Sequence, residues 1–220
     1  MADRLVLLGG GGHAAVVAEA AAASGSWDVV GFVAPTASDG AERPRDLVWL
    51  GTDDDFLAPD GRGREPATRL IAAFVGPTPE YRALRKALVA RYEAAGASFA
   101  IVVHPTAWVS STARLLPGTV VLAGASVNAG ALVGSHAILN SHAVVEHHVT
   151  VGDHAHVGPG AIVGGGASVA SGASIGLGAL VRDHVSVGRD AVVGMGAVVV
   201  ADVPDGTVVV GNPARARSEA

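Results

Sequence analysis

Between residues 103 and 204 an aliphatic residue recurs at every sixth position, and this period constrains the fold more than any other feature. Four residues after each aliphatic position stands a small or β-branched residue, usually alanine. The period fits neither a helix, whose apolar face recurs every three or four residues, nor a simple hairpin. It predicts a solenoid of short strands whose inward side chains come from these two positions. The aliphatic positions are Val103, Val109, Leu115, Val121, Val127, Val133, Leu139, Val145, Val151, Val157, Val163, Val169, Ile175, Val181, Val187, Val193 and Val199.

The composition suits such a solenoid and excludes several kinds of function. Half of the 220 residues are hydrophobic but only 4% are aromatic, which suits a thin core of valine and alanine. The net charge is −5 without a basic run, so we expect no nucleic-acid partner. The lack of cysteine excludes disulfides, thiolate metal sites and a cysteine nucleophile. We see neither a signal peptide nor an apolar run of membrane length, so we expect a cytoplasmic protein without a membrane partner.

The residues before the repeat have a different pattern, in which strands alternate with helices. The predicted elements are strands at 3–8, 29–33 and 70–75 and helices at 14–23 and 77–95. Leu84, Leu88 and Tyr92 define the predicted buried face of the second helix. We therefore predict a small Rossmann-like α/β domain with a βαβ unit at 1–97, followed by the solenoid domain with a C-terminal cap at 98–220.

The turn between the first strand and the first helix is rich in glycine. Gly9, Gly11 and Ala14 form a loose G-x-G-x-x-A pattern, which in a dinucleotide site places pyrophosphate at a helix N-terminus. The second strand is followed by Ala-Pro-Thr at 34–36 and not by the acid that would hold a ribose. These residues leave open a tight turn without a ligand, an NAD site, and a site for another phosphate-bearing ligand.

Most histidines of the repeat have a structural explanation. The fourth residue of each hexapeptide, counted from the aliphatic one, is predicted to form a corner with a left-handed backbone. Glycine is favoured there, and histidine is enriched among the other residues that adopt this conformation. The corner glycines are Gly118, Gly124, Gly130, Gly160, Gly166, Gly172, Gly178 and Gly196, and the corner histidines are His136, His142, His148, His154 and His184.

His147 and His156 do not occupy this corner position. His147 is third in its hexapeptide, and the residues eighteen before and after it are Ala129 and Gly165. These small neighbours leave space in which a ligand could reach the imidazole. An imidazole has an ordinary pKa near 6.5 and can accept a proton at cytoplasmic pH. His147 is therefore a candidate general base, and a solvated histidine without a chemical role is the alternative.

Three segments together carry a family resemblance that covers nearly the whole chain. They are Gly-Gly-Gly-Gly-His at 9–13, the segment 139–156 that contains Glu-His-His at 146–148, and Gly-Asn-Pro-Ala-Arg at 211–215. Together they resemble the sialic-acid O-acetyltransferase type of sugar acyltransferase, within the hexapeptide-repeat superfamily. The resemblance implies a left-handed parallel β-helix. In that fold three hexapeptides make one triangular coil, and residues eighteen apart stack at about 4.8 Å.

The resemblance also implies an activity. The family includes bacterial N-acetyltransferases that act on nucleotide-linked 4-amino sugars in polysaccharide biosynthesis. They are homotrimers, and acetyl-CoA lies between neighbouring β-helices. The expected reaction is direct transfer from acetyl-CoA to the sugar amine, with His147 as the general base and without a metal. Transfer to a sugar hydroxyl, as in sialic-acid O-acetylation, is the alternative within the family.

The family's site residues can be carried over by position. His147 matches the catalytic base, and His148 beside it is the second candidate catalytic residue. The other matches are Asn140 near the reacting groups, His156 against acetyl-CoA, Leu177 and Met195 whose backbone amides hold the pantetheine arm, and Gly11, Gly12 and His13 in the loop that meets the nucleotide sugar. Two departures stand out: the family usually has an acid where this chain has His148, and paired acids where this chain has Ala-Pro at 34–35.

Two other functions remain as alternatives. The γ-class carbonic anhydrases share the β-helix and bind zinc with three histidines. His142 and His147 have the separation of two of those ligands, but Thr106 stands at the third position, and a zinc site needs its full ligand set. A non-catalytic β-helix scaffold is the other alternative, which the replacement of the family acid by His148 favours.

Overall fold

The computed structural model of the chain describes residues 2–37, 47–58, 68–76 and 78–217. The chain divides into two compact units, Met1–Val103 and His104–Ala220. The first unit is α/β, and the second is a parallel solenoid of short strands, as the sequence predicts. In the described part of the chain, no helix is long and apolar enough to cross a lipid bilayer.

A three-stranded parallel sheet forms the centre of the first unit, in the order β2-β1-β3. The elements are β1 (Asp3–Leu8), α1 (Gly12–Ser24), β2 (Trp27–Val33), α2 (Asp53–Leu57), β3 (Thr68–Ala72) and α3 (Pro79–Ala94). Parallel neighbours require crossover connections, and α1 supplies the one between β1 and β2. The central strand is an almost continuous aliphatic run, and Leu5, Leu7 and Leu8 are fully buried.

Helix α3 starts as predicted but buries a different face. Its first residues are capped by Thr78, while residue 77 of the predicted helix lies outside the described residues. The prediction that Leu84 is buried is wrong, because its side chain is 57% exposed. Tyr92 is buried as predicted, and the other buried residues are Arg85 and Val89, one position after Leu84 and Leu88.

The solenoid consists of two-residue strands that recur every six residues, followed by two strands at its end. They are β4 (Val102–Val103), β5 (Trp108–Val109), β6 (Arg114–Leu115), β7 (Val120–Val121), β8 (Ser126–Val127), β9 (Leu132–Val133), β10 (Ile138–Leu139), β11 (Val144–Val145), β12 (Thr150–Val151), β13 (His156–Val157), β14 (Ile162–Val163), β15 (Ser168–Val169), β16 (Ser174–Ile175), β17 (Leu180–Val181), β18 (Ser186–Val187), β19 (Val192–Val193), β20 (Val198–Val199), β21 (Val208–Val210) and β22 (Arg215–Ala216).

Every third strand pairs in parallel, which gives the solenoid three sides. Val145, for example, lies opposite Val127 in the coil before it and Val163 in the coil after it. We call the side that contains β7, β10, β13, β16, β19 and β21 the first sheet. The second sheet is β5-β8-β11-β14-β17-β20, and the third is β6-β9-β12-β15-β18. The predicted stacking of residues eighteen apart is therefore confirmed.

The two inward positions of each hexapeptide fill the interior. Val145, Val157 and Val163, and the small residues Ala143 and Ala155, are completely buried. The outward residue of each strand precedes the aliphatic one, since successive side chains point to opposite faces. These outward residues differ from sheet to sheet and are free to carry other functions.

The predicted corners have the left-handed backbone. His148 has φ 58° and Gly166, eighteen residues later, has φ 66°. All the other corner glycines and histidines predicted from the repeat also have positive φ. The corner N–H groups bond to the coil before, as when His148 donates to the Ala129 carbonyl and Gly166 to that of His147, both at 2.9 Å. The corner histidines are therefore accounted for by backbone geometry.

The last residues leave the repeat and cover the end of the solenoid. β22 pairs with β21 in an antiparallel hairpin. The N–H of Val198, in the last strand of the second sheet, donates to the Gly211 carbonyl at 2.9 Å. Val203 forms a parallel bridge with Val187, in the last strand of the third sheet. The C-terminal segment therefore pairs with the final strands of all three sheets.

Candidate active site

His147 stands at the corner between the second and third sheets, just after β11. Its side chain is exposed, and its ring lies over Gly165 in the next coil. A Cβ at residue 165 would lie 2.6 Å from Nε2 and 2.7 Å from Cε1 of His147. The imidazole of His147 therefore occupies the space that a side chain at residue 165 would fill, and Nε2 is the ring atom nearest to that residue.

The ring of His147 contacts the ring of His148. The two Nδ1 atoms are 3.1 Å apart, and the rings meet edge to face at an interplanar angle of 79°. A hydrogen bond between two imidazole nitrogens needs one proton, so one Nδ1 donates and the other accepts. Glu146 makes no recorded contact with either ring, and among the described residues neither ring bonds to a carboxylate. In the described part of the chain, no carboxylate takes the place of the acid that the resemblance implies after the catalytic histidine.

Asn140 and His156 meet at the other edge of the second sheet. Asn140 follows β10, and His156 is the outward residue of β13. The Asn140 Oδ1 accepts the N–H of Ser141 at 2.8 Å, which leaves its Nδ2 to donate to His156 Nε2 at 3.3 Å. With Nε2 as an acceptor, His156 carries its proton on Nδ1. The structure therefore brings these two predicted site residues together.

Leu177 and Met195 occupy the same edge as Asn140, further along the solenoid. Their side chains are 55% and 78% exposed. The Leu177 carbonyl accepts the N–H of Gly196 at 2.9 Å. The N–H groups of Leu177 and Met195 themselves donate no recorded hydrogen bond within the described residues. This edge therefore presents two amide donors, eighteen residues apart in sequence, to an external acceptor.

The predicted solenoid residues thus fall into two groups. His147 and His148 lie where the second sheet meets the third sheet, whereas Asn140, His156, Leu177 and Met195 lie where it meets the first. A full side of the triangle separates the groups within one chain. The outward residues of the second sheet between them are largely apolar: Trp108, Ser126, Val144, Ile162, Leu180 and Val198.

The remaining predicted residues belong to the first unit. Gly11 is the extended residue before α1, and no side chain caps the helix there. Gly11 and Gly12 are exposed, and a Cβ on Gly11 would have no atom within 4 Å. His13 is partly buried, and its Nε2 is buried without a hydrogen-bond partner in the described part of the chain. A buried nitrogen without a partner is costly, so this nitrogen is a candidate contact for a ligand.

Arg85 lies close to His13 and was not foreseen from the sequence. Burial and the charge of Arg85 together lower the pKa of His13 to about 4. Burial lowers the pKa of Arg85 to about 10, and its Nε donates to the Phe74 carbonyl at 3.1 Å. At neutral pH, His13 is therefore uncharged beside a cation. The only signal for Arg85 in the sequence was its helical spacing to Val89 and Tyr92.

The low pKa of His13 predicts a dependence of stability on pH. An unfolded histidine titrates near pH 6.5, so between pH 6.5 and about 4 the folded state binds fewer protons than the unfolded state. The free energy of unfolding therefore keeps its full value above pH 6.5 and decreases as the pH falls below it, because protonation of His13 favours the unfolded state. Between pH 7 and pH 5 the loss should be about 2 kcal/mol. Urea unfolding at both pH values should show a smaller decrease for His13→Gln than for the unchanged protein, and equal decreases would contradict the prediction.

A zinc centre is not formed by the described residues. No group of three or more histidine, cysteine, aspartate or glutamate side chains is placed to hold a metal ion there. Thr106, at the position of the third carbonic-anhydrase ligand, bonds through Oγ1 to His104 Nδ1 at 2.8 Å and accepts the N–H of Gly124 at 3.1 Å. This threonine therefore closes the first corner of the solenoid and is not a metal ligand.

Comparisons with known proteins show which family and fold this chain resembles. Residues 4–58 match the family model of the PglD N-terminal domain. A variant of GDP-perosamine N-acetyltransferase from Caulobacter crescentus, in complex with CoA and GDP-perosamine, is 34% identical over 98% of this chain and 97% of that chain, with a TM-score of 0.85. The acetyltransferase domain of PglB from Neisseria gonorrhoeae is 31% identical over 98% of this chain and 100% of that chain, with a TM-score of 0.87. No curated protein sequence matches the chain significantly.

A more distant similarity supports the fold alone. WeeI from Acinetobacter baumannii is 22% identical over 97% of this chain and 99% of that chain, with a TM-score of 0.80.

The PglB domain has also been solved with acetyl coenzyme A. The predicted co-substrate, acetyl-CoA, is confirmed by such complexes of the relatives. Since the 34% identity extends over both units, the chain belongs to the sialic-acid O-acetyltransferase type of sugar acyltransferases and is itself an acyltransferase.

Proposed function

We propose that the protein transfers the acetyl group of acetyl-CoA to the 4-amino group of a nucleotide-linked sugar. The observation that carries this proposal is an exposed imidazole, His147, packed over Gly165 on a fold shared with GDP-perosamine N-acetyltransferase. That relative binds CoA and a nucleotide-linked amino sugar in one crystal structure. A sugar hydroxyl remains the alternative acceptor.

His147 is the general base of the proposed reaction. The sugar nitrogen attacks the thioester carbonyl, a carbon–nitrogen bond forms, and Nε2 of His147 takes the proton that the nitrogen loses. The tetrahedral intermediate then breaks its carbon–sulfur bond, and the imidazolium returns the proton to the departing sulfur. The products are the acetamido sugar and CoA. No acyl-enzyme is needed, and the chain has no cysteine to form a thioester.

The edge that carries Leu177 and Met195 is the proposed site of the CoA arm. The pantetheine chain contains amide carbonyls, which need donors, and the two N–H groups on this edge have no internal partner among the described residues. The exposed side chains of Leu177 and Met195 supply apolar surface beside them. The Asn140–His156 pair on the same edge lies within reach of the thioester end in this arrangement.

Replacing Leu177 by proline should weaken acetyl-CoA binding. Pro159 occupies the equivalent position one coil earlier and is also flanked by glycines, so the turn accepts proline. The substitution therefore removes one N–H without disturbing the corner. Loss of one hydrogen bond should raise the Kd of acetyl-CoA about five- to tenfold, measured by calorimetry. Leu177→Ala is the matched control, since it shortens the side chain but keeps the N–H; equal weakening in both variants would assign the effect to the side chain.

The loop at 9–13 is the proposed site of the nucleotide. Helix α1 begins there without a side-chain cap, so its first N–H groups are available to a phosphate. The buried Nε2 of His13 lacks a partner that a ligand could supply. The 1–97 domain would then bind the nucleotide sugar and the 98–220 domain would carry out the transfer.

We further propose that the enzyme is a homotrimer. The base and the proposed CoA edge lie at opposite edges of the second sheet, so one chain does not bring them together. On the apolar side between them, Trp108 is 64% exposed, Ile162 40% and Leu180 41%, whereas the outward residues of the third sheet are mostly polar. A closed ring in which second sheets meet would bury this surface and join the base of one chain to the CoA edge of the next.

An assay of thiol release with acetyl-CoA tests the proposal directly. A panel of nucleotide-linked 4-amino sugars should release CoA, and the matching 4-hydroxy sugars should not. Release only with hydroxyl acceptors would support O-acetylation, and no release with any acceptor would support the scaffold.

Both proposed substrates are cytoplasmic metabolites, so we place the reaction in the cytoplasm, in polysaccharide biosynthesis.

A further inference from the structure

We propose that His148 is a positioning residue, whose Nδ1 accepts the Nδ1–H of His147 and so keeps Nε2 of His147, which lies over Gly165, unprotonated. The inference rests on the proposed function, because it takes His147 as the general base. It explains how the reaction proceeds without the carboxylate that the family usually has after its catalytic histidine.

The geometry admits only two proton arrangements. With 3.1 Å between the Nδ1 atoms, one of the two must carry the shared proton. If His148 donates, the proton of neutral His147 lies on Nε2, and the exposed ring offers no base to a substrate. If His147 donates, its Nε2 has a free lone pair. Only the second arrangement allows general-base chemistry.

The contact also becomes stronger as the reaction proceeds. When Nε2 of His147 takes the substrate proton, the ring becomes a cation and its Nδ1–H forms a charge-assisted bond to the lone pair of His148. An interaction that strengthens with the developing charge lowers the barrier of the chemical step. His148 supplies no negative charge, so the stabilisation is that of one hydrogen bond and not that of an ion pair.

The backbone holds His148 where it can do this. Its N–H bonds to Ala129 in the coil before, and its φ of 58° belongs to the corner geometry. Its ring lies near Gly130, where a Cβ would be 3.0 Å from Cδ2. The same corner column contains glycine at 130 and 166, so a glycine at 148 is compatible with the fold and removes only the ring.

Kinetics of corner variants test the inference. His148→Gly should lower kcat about ten- to hundredfold, the range of a charge-assisted hydrogen bond, with little change in KM for acetyl-CoA. His148→Asn should recover part of kcat, because asparagine tolerates the left-handed backbone and its Oδ1 accepts a hydrogen bond. His184→Gly is the matched control, since His184 occupies the same column with φ 58° but lies away from His147. An unchanged kcat in His148→Gly overturns the inference.

Nitrogen NMR of histidine-labelled protein provides a readout without substrate. His147 should carry its proton on Nδ1 at neutral pH and lose that preference in His148→Gly, but not in His184→Gly. A proton on Nε2 of His147 in the unchanged protein overturns the inference whatever the kinetics show. If no acceptor supports thiol release and the tautomer is still the expected one, the histidine contact stands and the proposed activity fails.

Discussion

Replacing His147 with alanine is expected to lower kcat by about 10²- to 10⁴-fold, the usual contribution of a positioned general base. The side chain is exposed and contacts only the ring of His148 among recorded partners, so the fold should be unaffected. The proposed CoA edge lies on another corner, so the Kd of acetyl-CoA should be unchanged. Single-turnover kinetics and calorimetry measure the two quantities separately.

A second variant, Gly165→Ala, is expected to displace the imidazole of His147 without removing it. Gly165→Ala would place a methyl group 2.6 Å from the present position of Nε2, so the ring must move. The ring is the end of a flexible side chain, and Gly165 is not among the glycines with positive φ, so stability should change little while kcat falls. Near-normal turnover in His147→Ala would exclude His147 as the base.

Mixed trimers of two inactive variants are expected to recover about a quarter of the activity of the unchanged protein. One variant is His147→Ala, and the other is Asn140→Ala, which alters the opposite edge of the second sheet. If each site combines the base of one chain with the CoA edge of its neighbour, half of the chains supply each intact part. The product of the two halves gives the expected fraction of complete sites.

The variants must be unfolded and refolded together, so that their subunits exchange. A chain that carries both substitutions, mixed in the same way with His147→Ala, is the matched control and should recover nothing. Activity that stays at the level of the separate variants would contradict a site shared between chains. It would also remove the main argument for the trimer, which is that the base and the proposed CoA edge lie at opposite edges of the second sheet.

The solenoid could be predicted in detail because its sequence repeats the same physical requirement many times. One aliphatic and one small residue per hexapeptide face inward, and at most corners one residue with a left-handed backbone makes the turn. The outward residues, such as Trp108, can vary without disturbing this period. The first unit offers each element only once, so the buried face of α3 was assigned wrongly: Arg85, a charged residue, is buried, and Leu84 is exposed.

The candidate site was only partly predictable for a related reason. The repeat singled out His147 and His156 because they depart from the corner pattern. The contact between His147 and His148 depends on side-chain rotation at one corner, which no periodicity encodes. The low pKa of His13 depends on burial and on the charge of Arg85, which lies far from it in sequence and on a different element.

The antiparallel hairpin at the C-terminus limits the length of the solenoid. Parallel strands stacked coil upon coil offer open backbone groups at their last edge, and that edge could accept the first coil of another molecule and extend into a fibre. The turn back from β21 to β22 presents the opposite strand direction and breaks the pattern that a further coil would have to match. The hairpin therefore ends the parallel stacking within one molecule and opposes end-to-end association into fibres.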